Sequence, residues 1–88
     1  MILSYELQPR KMLKKLPENR RELALKALLE IERNPFQGSP KVGDLAGILT
    51  YRFKIYEELW LIAYEFTGPQ SIRIIRIAPR ENFYRDMK

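Results

Sequence analysis

Two cations stand two residues apart in the stretch TYRFKIYEELWLIAYEF, residues 50–66: Arg52 and Lys54. Side chains on an extended strand switch faces at every residue. Arg52 and Lys54 therefore project together, while Tyr51, Phe53 and Ile55 take the opposite side. Near the end of the chain Arg76 and Arg80 lie four residues apart, and Tyr84 follows. These two arginines share a face if the strand that carries them stays extended to Pro79. Four cations converging beside an aromatic ring suit a phosphodiester backbone. Guanidinium forks match phosphate oxygens bidentately, and a tyrosine stacks on a splayed base. Glu81 is a conceivable base, although beside Arg80 it reads first as an ion-pair partner.

Composition narrows the chemistry. The 88 residues contain neither histidine nor cysteine. The usual general base, the usual nucleophile activator and the commonest metal ligand are missing together, which excludes serine triads, cysteine–histidine pairs and zinc centres. Sixteen Lys and Arg against eleven Asp and Glu leave a net charge of +5. A small basic domain of this kind meets polyanions: RNA, DNA or an acidic protein. No apolar run approaches the ~20 residues that span a bilayer, and no signal-peptide pattern opens the chain. The expectation is one cytoplasmic domain over residues 1–88, without metal or cofactor.

The elements that must position these cations follow from periodicity. Residues 2–8 alternate as a first strand near a sheet edge. Pro9 ends it and opens a short helix over residues 10–16, with Met12, Leu13 and Leu16 on one stripe. Pro17 precedes a longer helix over 18–33, whose Ala24, Ala27, Leu28 and Ile31 recur at helical spacing, flanked by Leu25 and Leu29. The two helices form a hairpin. Residues 34–47, NPFQGSPKVGDLAG, are a loop that Phe36, Val42 and Leu45 can anchor to the core. Residues 50–66 hold two strands joined by a tight turn at 56–58. From Leu59 to Phe66 both faces are apolar, so this strand sits mid-sheet. Residues 71–78, SIRIIRIA, make the last strand, and the tail makes one irregular helical turn. The fold class is α+β: an N-terminal strand, a two-helix hairpin and a three-stranded antiparallel meander, with the helices on one face of a small sheet.

In this order the segments resemble the RelE/ParE superfamily of toxins from toxin–antitoxin modules. The likeness runs over nearly the whole chain. It rests on the helices joined at Leu16-Pro17, the NPFQG loop, GDLAG ahead of the YRFKI strand, and the ending IIRIAPRENFYRD with its Arg-three residues-Tyr spacing. The resemblance implies an antitoxin partner, here expected to be acidic. In the RelE-like branch it implies a toxin that enters the ribosome and cuts mRNA without a metal, the ribose 2′-OH attacking the adjacent phosphate to give a 2′,3′-cyclic phosphate. By position, Lys54 then corresponds to the general base, Arg52 to a phosphate ligand, Arg80 to the cation that stabilises the transition state, and Tyr84 to the stacking ring. Arg76 is a further candidate phosphate ligand. A lysine serves as a base where neighbouring cations and desolvation favour its neutral amine. One position departs from the pattern: Leu61 stands where relatives carry an arginine. The ParE-like branch implies instead a toxin that inhibits DNA gyrase by protein contacts, and a third alternative is a relative that only binds its antitoxin.

Overall fold

The structure, a computed structural model, describes residues 1–41 and 46–83. In chain order it forms β1 (Ile2–Tyr5), α1 (Leu7–Lys15), α2 (Glu18–Arg33), a 3₁₀ turn (Pro35–Gln37), β2 (Ser39–Pro40), β3 (Leu49–Ile55), β4 (Glu58–Gly68), β5 (Ser71–Pro79) and α3 (Arg80–Phe83). The strands make one sheet in the order β1-β5-β4-β3-β2. β1 runs parallel to β5, and the other neighbours are antiparallel. The expected α+β arrangement is present, with β2 as an added short edge strand.

The helical hairpin covers one face. Ala24, Ala27, Leu28 and Ile31 of α2, with Leu16, pack on Ile55, Trp60, Ile62, Tyr64, Ile72, Ile74 and Ile77. α2 lies over β3 and α1 over β5. Leu25 and Leu29, expected to widen this stripe, are instead 46% and 51% exposed. The elbow between the helices is closed by Arg21, which donates to the carbonyls of Leu13 at 2.7 Å and Leu16 at 2.8 Å. Those carbonyls belong to the end of α1, where helical partners run out.

Two boundaries differ from expectation for physical reasons. β1 stops at Tyr5 because α1 begins at Leu7, so Pro9 lies inside the first helical turn, where its missing N–H costs nothing. Gln8 then continues the ladder with its side chain: Nε2 donates to the Ile77 carbonyl and Oε1 accepts from the Ile77 amide, each at 2.9 Å. In the 34–47 stretch Phe36 is 77% exposed but stacks on Phe66, with ring centroids 5.2 Å apart, and buried Pro35 adds a second anchor. The buried Tyr64 hydroxyl donates to the Pro35 carbonyl at 2.7 Å. Gly38 passes so close that a Cβ there would collide with the Tyr64 hydroxyl. Val42 and Leu45 lie outside the described residues.

Candidate functional site: the open face of the sheet

The face away from the helices is built in rows by strand register. Lys54 pairs with Leu59, and Arg80 follows one residue after Pro79, which pairs with Trp60. The next row is Arg52–Leu61–Ala78, and the one after it Ser39–Thr50–Ala63–Arg76. Strands lie about 4.8 Å apart, so cations on β3 and at the end of β5 face each other across roughly 10 Å. Arg52, Lys54 and Arg80 are all exposed.

Arg76 reaches this face because of a bulge. Tyr64 pairs with Ile74 and Ala63 with Arg76, leaving Ile75 as the extra residue. The bulge holds Ile72, Ile74 and Ile77 on the helix side while turning Ile75 and Arg76 to the other. Without it, strict alternation would put Arg76 beneath the helices.

Between the cations runs a groove of about 200 Å³, with Lys41, Arg52, Leu59, Leu61 and Arg80 among its lining residues. A second depression of about 360 Å³ adjoins it, lined by Glu58, Leu59, Pro79, Arg80 and Glu81. Leu59 and Arg80 belong to both. The Glu58 carboxylate is held by the Trp60 indole N–H at 2.9 Å. Glu81 is exposed beside Arg80.

The far end of the face is closed by the chain itself. Phe83 is fully buried against Leu61, Ala63 and Ala78, with Ile48 and Ile75 at the margin. Arg76 Nε donates to the Phe83 carbonyl at 2.9 Å and Nη2 to the Asn82 carbonyl at 3.4 Å. Leu61 is thus both a wall of the groove and the seat of the C-terminal turn, and an apolar side chain is what that seat requires.

The groove therefore gathers Arg52 and Arg80 from distant parts of the chain. Lys54 stands one row along, beside Leu59. Arg76 shares the face, with its guanidinium turned toward α3. Tyr84 lies outside the described residues. Lys41 was missed from sequence. It sits in the glycine-rich stretch, where periodicity carries no signal, and reaches the groove because its amide bonds the Ile48 carbonyl at 2.9 Å, prolonging the β2–β3 ladder. Among the described residues no group of His, Cys, Asp and Glu could hold a metal ion, and no helix is long and apolar enough to cross a membrane. Cationic side chains around an open groove with an apolar floor can bind a phosphodiester and stabilise charge developing on it.

Residues 3–88 match the family model described as ParE-like toxin of type II bacterial toxin-antitoxin system. The fold is similar to the RelBE2 toxin–antitoxin complex of Mycobacterium tuberculosis: TM-score 0.75, 21% identity, 90% of this chain and 96% of that chain covered. It is also similar to the intact RelBE complex of E. coli, with TM-score 0.67, 19% identity and coverage of 88% and 93%. The isolated E. coli RelE toxin gives TM-score 0.64 and 20% identity, with 89% and 82% covered. A comparison with curated proteins finds no match in sequence.

Proposed function

This chain belongs to the ParE-like toxins of type II bacterial toxin–antitoxin systems, and we propose that it acts as a ribosome-dependent mRNA endoribonuclease. The reading is supported chiefly by one observation: Arg52 and Arg80 line the same groove, with Lys54 in the adjoining row. In this mechanism the Lys54 amine takes the proton of the ribose 2′-OH. The O2′–P bond forms, the P–O5′ bond breaks, the leaving O5′ takes a proton from water, and the products are a 2′,3′-cyclic phosphate and a 5′-hydroxyl. Arg52 holds a non-bridging phosphate oxygen. Arg80 faces the charge that builds on the phosphorane and the leaving oxygen. Tyr84 stacks on a base next to the cut. Histidine is dispensable because cations carry the electrostatic load and the amine carries the proton.

The partner that silences the toxin is a cognate antitoxin whose acidic segment meets the groove cations and folds as it binds. A second reading, inhibition of DNA gyrase through protein contacts, draws on the apolar Leu61 at the groove wall. Induced expression separates the two. The nuclease reading predicts that protein synthesis falls first, that DNA stays intact, and that Lys54→Ala or Arg80→Ala restores growth. Toxicity that survives both substitutions, or DNA breaks that precede translational arrest, overturns it.

A further inference from the structure

On the strength of that nuclease reading, the geometry points to Arg76 as a positioning residue that acts through Arg80, rather than as a ligand of the substrate phosphate. Its fork is directed at the chain's own backbone. Nε and Nη2 donate to the carbonyls of Phe83 and Asn82, two of the four residues of α3. A guanidinium that donates to two successive backbone carbonyls ties the segment carrying them to β5 through charge-assisted hydrogen bonds. The same contact holds Phe83 down on Leu61, Ala63 and Ala78. Arg80 is the first residue of α3, and it enters the groove only while that turn is docked. The apolar plug and the guanidinium clamp are therefore two halves of one device, which fixes where the Arg80 side chain leaves the backbone. The bulge at Ile75 belongs to the device, since it turns Arg76 to the open face.

A double-mutant cycle tests this on programmed ribosomes with a defined mRNA. Arg76→Gln is expected to lower kcat by about 100-fold, the scale of a misplaced catalytic group, with KM little changed. Arg76→Lys should fail equally, because a point charge cannot bridge two carbonyls as a planar fork does. In an Arg80→Ala background the Arg76→Gln substitution should cost no more than about twofold, since the residue it positions is gone. A phosphate ligand behaves otherwise: KM rises, lysine rescues, and the cost is the same with or without Arg80. That pattern overturns the proposal.

A second readout needs no catalysis. The nuclear Overhauser contacts between the Phe83 ring and the methyls of Leu61 and Ala78 should vanish in Arg76→Gln while those of the helix-side core persist. If they survive, the clamp does not exist. If the unaltered protein cleaves no mRNA, the nuclease reading fails by itself, and these contacts alone decide whether Arg76 holds α3.

Discussion

At the scale of single residues, the open face is a set of cations around an apolar floor. Removing Lys54 or Arg80 should reduce cleavage by about 10²–10³-fold each, the usual worth of a general base or of one transition-state donor. Single-turnover rates on ribosome-bound mRNA measure this. Leu61 gives the opposite kind of prediction. It is 4% exposed beneath Phe83, so Leu61→Arg would bury a charge in an apolar seat or expel the C-terminal turn. The expected outcome is loss of both stability and activity, by about 3 kcal/mol or more in a denaturant titration. A variant that gains activity at unchanged stability would show that the face is an incomplete phosphate site rather than a seat for α3. The parity of Arg52 and Lys54 was legible in the sequence because period-two alternation alone settles it. Arg76 was not. Its direction depends on the bulge at Ile75, and nothing in SIRIIRIA shows which of two adjacent isoleucines is the extra one.

At the scale of elements, the long helix and the three inner strands could be read from apolar spacing, since each buries a face of its own. The starts and edges could not. β1 gives way to α1 early because the Gln8 side chain replaces a strand pairing, and β2 exists only because residues 39–41 find residues 48–50 across the sheet. The NPFQG segment works through close approach. Asn34 accepts from the Phe36 amide, Pro35 accepts from Tyr64, and Gly38 leaves room for that hydroxyl. Tyr64→Phe should cost about 1–2 kcal/mol, seen as a Tm drop of roughly 4–16 °C in a domain of this size.

Ionisation supplies a second handle on the same element. Burial raises the pKa of Tyr64 above 10.0, and burial with the Glu32 charge raises that of Tyr5. The unfolded chain ionises these groups near 10 while the fold still holds them neutral. Their contribution is therefore whole below pH 10 and is lost as pH rises through the folded values. Tyr64→Phe should flatten the alkaline limb of the stability curve. An unchanged limb would assign alkaline unfolding to other groups.

The tip of the β3–β4 hairpin is a strained element. Tyr56 takes φ +56°, a conformation that favours glycine in a two-residue loop. Its hydroxyl accepts from Asn19 and its ring lies under Arg20, 5.2 Å from the guanidinium carbon to the centroid. The backbone cost is offset by tying the hairpin to the start of α2.

At the scale of the whole molecule, the sheet separates two tasks. One face carries the core beneath the helices. The other carries the cationic groove, except where Phe83 covers it. A net charge of +5 should make association with an acidic antitoxin segment, or with RNA, fast at low salt and slow at high salt. Stopped-flow mixing across a salt series reads this directly, and a flat series would remove electrostatics from recognition.

The central claim, that the open face cuts mRNA within the ribosome, meets its most direct test in mapping the ends of an mRNA bound to purified ribosomes after addition of the toxin. The account predicts cuts confined to the ribosome-bound codon, each leaving a 2′,3′-cyclic phosphate and a 5′-hydroxyl, and absent with Arg80→Ala. Intact mRNA under those conditions, from a toxin that still arrests growth, would contradict it.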